Sequence, residues 1–239
     1  MADDRERDLS TDPDNSERSD PGRGPRWGAA GGLLRRDGWP LIGAAVALTF
    51  VLAAIGDGLG WLGVALALWV AAVFRIPRRT AGASSGAEVT APLDGRVVLV
   101  EPSVPPPGLE MGVGPVTRIR LAPGWLDSRV VRAPAFGTVT AAPPDGPPPR
   151  GWPGILSGDA GRVAARCLSL ADGAPLGLVL RAAPMAPGAS LDPDLDDRLT
   201  AGAPIGTLRL AGVVDVYLPP ARAARVVEGQ RTVAGETPL

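Results

Sequence analysis

Gly206-Thr207-Leu208-Arg209-Leu210-Ala211-Gly212-Val213-Val214-Asp215-Val216-Tyr217-Leu218-Pro219, followed after a short interval by Gly229-Gln230-Arg231-Thr232-Val233-Ala234-Gly235-Glu236-Thr237, is the stretch from which the fold is read. Leu208 and Leu210, then Val214, Val216 and Leu218, repeat with a period of two. That pattern predicts two short half-buried strands, and Pro219 ends the second. Gly229-Gln230 and Ala234-Gly235-Glu236 punctuate a third strand around Val233.

Working outward, the same pattern recurs at 95–100, 116–121, 128–132, 137–141 and 176–180. Pro- and Gly-rich clusters at 102–108, 143–154 and 184–193 separate these segments, and a helical turn is expected over 160–170. Many short strands with such punctuation predict a mainly β domain of sandwich or barrel type over 80–239. The 80–88 stretch reads as a flexible linker into it.

Upstream the character changes. Residues 1–30 begin with a run of Asp, Arg, Ser and Pro that has too little apolar surface to offset chain entropy, and are expected to form a disordered tail. Within 31–79, two uncharged apolar runs, 41–56 and 61–74, flank Asp57. Each run is long enough for roughly 21–24 Å of helix, against about 30 Å of bilayer hydrocarbon. The expectation is an α-helical hairpin membrane anchor, either a pair of short transmembrane spans or a hairpin dipping into one leaflet. Arg35 and Arg36 precede it and Arg75, Arg78 and Arg79 follow. By the positive-inside rule both flanks and the β domain face the cytoplasm of a bacterial inner membrane.

Composition narrows the chemistry. The 239 residues carry a net charge of −1, which gives no field that would attract nucleic acid. There is no histidine, hence neither the commonest general base nor the commonest metal ligand. There is no lysine, which excludes a Schiff-base amine on a side chain. The single Cys167 has no disulfide partner and reads as a buried structural thiol. The acidic run at 192–197 lacks the glycine and closing glutamate of a calcium loop, so no metal is expected.

Val-Asp-Val-Tyr-Leu-Pro (214–219) followed by Gly-Gln-Arg-Thr-Val-Ala-Gly-Glu-Thr (229–237) resembles the C-terminal signature of the short, membrane-anchored bacterial phosphatidylserine decarboxylases. Arg36-Asp-Gly-Trp-Pro40 before the hairpin and Phe74-Arg-Ile-Pro-Arg78 after it resemble that family's N-terminus, with Ile76 in place of an aspartate. The resemblance runs from 35 to 239 and is weakest over 140–165. It implies a proenzyme that cuts itself at a Gly-Ser bond and turns the serine into a catalytic pyruvoyl group. It also implies a histidine that assists cleavage, an aspartate that orients the histidine, and a habit of forming homo-oligomers.

Residue by residue, the match is uneven. Ala91-Pro-Leu-Asp-Gly-Arg-Val97 retains the aspartate unit, so Asp94 corresponds to the family's aspartate, although Asp-Gly before a strand also serves simply as a tight turn. Asp127-Ser-Arg-Val-Val-Arg-Ala-Pro134 matches the histidine unit with Arg129 in the histidine's place. Arginine stays protonated and cannot act as a base near neutral pH. Gly212 stands at the serine position and has no hydroxyl.

The resemblance with these replacements implies a relative of the decarboxylase in phospholipid metabolism. It is expected to be uncleaved, without a pyruvoyl cofactor and catalytically silent, with Arg129 and Arg132 as candidates for holding a phospholipid phosphate or carboxylate. Membrane phospholipid, a second copy or an active paralogue are the expected partners. The alternatives are an active decarboxylase making phosphatidylethanolamine through another nucleophile, with Thr207 five residues upstream of the matching position and Ser128 far off in sequence, and a membrane-tethered β adaptor.

Overall fold

A computed structural model describes residues 38–56, 58–77, 88–112, 114–147, 162–184, 186 and 188–239. The tail at 1–30, Arg35, Arg36, Asp57, Arg78, Arg79 and the linker up to residue 87 lie outside the described residues.

Period-two apolar patterning yields two antiparallel sheets. The larger contains β1 (Gly95–Ser103), β2 (Val116–Ala122), β4 (Gly137–Ala141), β5 (Val163–Leu170), β6 (Pro175–Ala182), β8 (Arg198–Leu199), β10 (Gly212–Leu218) and β11 (Arg231–Thr232), in the order β11-β1-β2-β10-β6-β5-β4-β8. The smaller contains β3 (Val130–Arg132), β9 (Pro204–Arg209) and β7 (Gly188–Leu191), in the order β3-β9-β7. The main core lies between them: Ile119, Leu121, Leu178, Leu180, Val214 and Val216 of the large sheet meet Val131, Leu191, Ile205 and Leu208 of the small one. Burial of such side chains contributes about 1.5–3 kcal/mol each and is the dominant stabilising effect. The quoted stretch links the two layers, because β9 belongs to the small sheet and β10 to the large one.

Three local expectations are corrected. Residues 163–170 form β5, a strand rather than a helical turn; β5 is paired on both sides, by β4 and β6, and is buried at nearly every position, so its sequence shows no alternation. The 184–193 loop contains β7, whose Gly-Ala-Ser-Leu pairs with β9. Leu210 does not continue the alternation of Leu208. It adopts φ +62° in the turn between β9 and β10, where Ala211 N–H donates to Arg209 O at 2.9 Å.

The apolar runs form α1 (Trp39–Ile55) and α2 (Gly60–Val73). They pack through Ala45, Val70, Val73 and Phe74, and closely where Gly63 faces Thr49; a Cβ on Gly63 would lie 2.6 Å from Thr49 Oγ1. The outward faces are apolar too, with Phe50, Ile55, Trp61, Leu62 and Leu68 each more than 60% exposed. Among the described residues no helix is long and apolar enough to cross a membrane, so the transmembrane expectation finds no support in the helix lengths. The base of the hairpin is fastened to the β domain. Arg129 N–H donates to Val73 O at 2.8 Å, Ser128 Oγ to Arg75 O at 3.0 Å, Arg132 Nη2 to Pro77 O at 2.5 Å and Trp69 Nε1 to Trp125 O at 2.9 Å.

Candidate functional site

Backbone pairing gathers the three segments that the sequence singles out. Thr90 N–H donates to Pro134 O at 2.7 Å and Arg132 N–H to Pro92 O at 2.8 Å, laying the Asp94 segment along β3. Leu208 N–H donates to Arg129 O at 3.0 Å, and Val130 pairs with Thr207, bringing β9 to the other edge of β3. β9 then turns directly into Gly212.

Asp94 lies in a bend just before β1 and is 9% exposed. Its Oδ1 accepts from Ala234 N–H at 2.8 Å, while Thr232 Oγ1 donates to Leu93 O at 3.1 Å and Gly235 N–H to Ala91 O at 2.8 Å. Asp94 therefore fastens the Ala-Pro-Leu-Asp-Gly unit to the Ala-Gly-Glu-Thr unit. Both halves of the sequence signature meet in one buried turn.

Arg129 is the unusual member. It is 5% exposed, and its Nε and Nη1 have no hydrogen-bond partner among the described residues. Burial pulls its basicity below that of an ordinary guanidinium, opposed by the charge of Asp127. A buried cation whose donors are only partly matched is costly, and an incoming anion would offset that cost. A planar guanidinium suits a phosphate or carboxylate. Arg132, three residues on, differs: Nη1 donates to Gly202 O at 2.6 Å and Nη2 to Pro77 O, so it braces the hairpin exit.

The hydroxyl residues near this region are built into the β domain. Ser128 Oγ donates to Arg75 O and accepts from Val130 N–H at 3.3 Å. Thr207 is fully buried within β9, paired with Val130 on one side and Ser190 on the other.

The pyruvoyl group does not fit the residue at 212. That three-carbon group is formed from a whole serine residue, with its methyl carbon from Cβ, whereas Gly212 has no Cβ. Gly212 adopts φ +152°, and a Cβ there would collide with Arg181 O, while lying 2.8 Å from Leu208 Cδ1 and 3.0 Å from Ala182 Cα. The local backbone is shaped for glycine.

Sequence reasoning missed a buried ionic cluster on the opposite face of the large sheet. Asp215 is fully buried; Arg120 Nε and Nη2 donate to it at 2.6 and 3.0 Å, and Arg181 Nε at 2.7 Å. Arg181 Nη2 lies 3.4 Å from Tyr217 Oη. The bond to Asp215 pushes the Arg120 guanidinium above its ordinary range, against the cost of burial. The available signal was a charge inside an apolar strand, Val214-Asp215-Val216, but its partners lie in two other strands.

No family model matches the chain, and no solved structure matches it. Curated relatives do. A phosphatidylserine decarboxylase proenzyme of Cereibacter sphaeroides is 35% identical over 213 residues, covering 86% of this chain and 88% of the relative. Those of Paramagnetospirillum magneticum and Saccharopolyspora erythraea are 34% and 35% identical over 209 and 203 residues, covering 86% and 82% of this chain and 85% and 83% of the relatives. With this identity spread over most of both lengths, the chain belongs to the phosphatidylserine decarboxylase family.

Proposed function

We propose that this protein is an uncleaved, non-decarboxylating member of its family that works in phospholipid metabolism by binding phospholipid. The observation that carries the reading is Arg129: a buried guanidinium with two nitrogens unpartnered among the described residues, where the family resemblance has a histidine. Gly212 supports the same reading, since it supplies neither the hydroxyl that would attack nor the carbon that would become a pyruvoyl group. Arg129 receives a headgroup phosphate or carboxylate, with Arg132 beside it fixing the hairpin exit. No pyruvoyl cofactor takes part. A second copy or an active paralogue would be the natural partner.

The exposed apolar helices α1 and α2 support membrane association, the hairpin entering one leaflet tip first with the β domain on the cytoplasmic face of the inner membrane. Their length, about 21–26 Å at 1.5 Å per residue, suits insertion short of a full crossing.

A second reading, active decarboxylation, is favoured by the name that the relatives share. Intact mass of the purified full-length protein separates the two. One species at 24.4 kDa is expected. A C-terminal fragment beginning near Gly212 with a blocked N-terminus would overturn the proposal and restore the decarboxylase.

A further inference from the structure

The turn after β2, Pro123-Gly124-Trp125-Leu126-Asp127, carries, among the described residues of the β domain, the most exposed large apolar side chain apart from Val104: Trp125 is 71% exposed, with Leu126 at 47% beside it. The turn is built rather than loose. Asp127 Oδ2 accepts from Gly124 N–H at 2.8 Å, and Asp127 Oδ1 accepts from Arg231 Nη2 at 2.9 Å. It is also attached to the hairpin, because Trp125 O accepts from Trp69 Nε1. Trp69 lies four residues before the end of α2, which places Trp125 about 6 Å along the hairpin from its base. A lipid phase that receives the helices therefore meets Trp125 at the depth where interfacial residues sit, about 5–10 Å.

Next to this turn lies an open cleft of ≈ 520 Å³ whose lining includes Arg96, Val98, Trp125, Leu126, Asp127 and Arg231. Arg96 and Arg231 are register partners across β1 and β11. Like charges directly opposite one another are destabilising, and Asp127 engages only Arg231 of the two. Arg96 is exposed and has no ion-pair partner among the described residues. The cleft has one cation in excess, set beside an exposed tryptophan and leucine.

We infer that the 123–127 turn is a second membrane contact: Trp125 and Leu126 enter the headgroup–acyl boundary beside the hairpin, and Arg96 with Arg231 receives the phosphate of an anionic phospholipid. This rests on the membrane association proposed above. The contact fixes how the β domain is turned toward the bilayer, since a hairpin alone leaves rotation about its axis free.

The test floats full-length protein with phosphatidylcholine vesicles, with and without phosphatidylglycerol, at low salt. Wild type is expected to bind both, and the anionic vesicles roughly fivefold to thirtyfold better, the effect of one or two arginines near a charged surface. Arg96→Gln with Arg231→Gln should lose that increment and bind neutral vesicles as before. Retention of the increment by the double variant overturns the inference, as does its loss from wild type when millimolar inorganic phosphate is added at matched ionic strength, which would mark the cleft as a site for free phosphate. Wild type that floats with neither vesicle sinks the membrane reading itself. A second measurement uses a polarity-sensitive dye on Trp125→Cys, selective because Cys167 is buried with its thiol pushed up by burial. Its emission should shift to the blue on vesicles; a dye that stays in water while the protein floats also overturns the contact.

Discussion

The carbonyl oxygen of Arg181 occupies the space that a Cβ on Gly212 would need. β6 and β10 are paired at this point, Gly212 against Ala182 and Val213 against Arg181, so neither backbone can retreat alone. Gly212→Ser should therefore destabilise the protein by about 2–4 kcal/mol, from a strained backbone and a steric conflict together. It should not restore self-cleavage, even beside Arg129→His. Thermal unfolding measures the first effect and intact mass the second.

Asp215 joins three strands. Arg120 of β2 and Arg181 of β6 both donate to it from either side of β10. Asp215→Asn removes the charge that compensates two buried guanidinium groups, and breaking a buried pair in this way costs about 3–5 kcal/mol. Denaturant unfolding should show that loss. Arg181→Met at the same time should recover part of it, because one uncompensated cation is then gone.

How far the sequence speaks depends on how local the cause is. Val214, Val216 and Leu218 alternate because one face of β10 meets the core, and that pattern is written in adjacent residues. β5 could not be read that way: Val163-Ala-Ala-Arg-Cys-Leu lies between two strands with both faces covered, and Arg166 is buried there because Pro193 O, Leu191 O, Ala165 O and the Asp145 carboxylate accept from it. The replacements Arg129 and Gly212 were legible as residue types. That Arg129 is buried with Nε and Nη1 unpartnered among the described residues was not, since its backbone meets the distant end of α2 at Val73 O. The Arg120–Asp215 pairing spans 95 positions, beyond the reach of any local pattern.

Tyr217 is the single tyrosine of the chain and is fully buried. Burial, with the charge of Asp215 adding to it, pushes its phenol above 10.0. The folded state thus holds a proton that the unfolded chain releases earlier, so its contribution to stability is present below the unfolded value and is lost as pH rises through the folded one. The buried Cys167 thiol, raised above 9.0, acts in the same direction. Tyrosinate absorbance should appear together with unfolding, above about pH 10, rather than before it. Titration with the circular dichroism signal unchanged would contradict this.

Arg132 connects Pro77 O at the hairpin exit to Gly202 O in the turn before β9. Arg132→Ala leaves both carbonyls without this donor and should cost about 1–3 kcal/mol. The loss should be local as well as global. Hydrogen exchange at 73–76 should quicken, and Arg132→Lys should recover only part of it, because an ammonium cannot match the planar fork.

Arg129 offers the sharpest test, because a structural and a binding role predict opposite signs. If its guanidinium braced the fold through its side chain, shortening it to an apolar isostere would destabilise. Its Nε and Nη1 instead have no partner, and burial already weighs against its charge. Replacing a buried cation that Asp127 compensates only in part with a well-packed apolar chain is neutral or stabilising, by about 1–3 kcal/mol. Arg129→Met should therefore melt higher than wild type in the absence of anions. Its backbone bonds to Val73 O and from Leu208 N–H survive the change. Phosphate, or short-chain phosphatidylserine below its micellar concentration, should raise the melting temperature of wild type and leave Arg129→Met where it was. A variant that melts lower, or that still responds to the anion, would mean that Arg129 does not bind the headgroup.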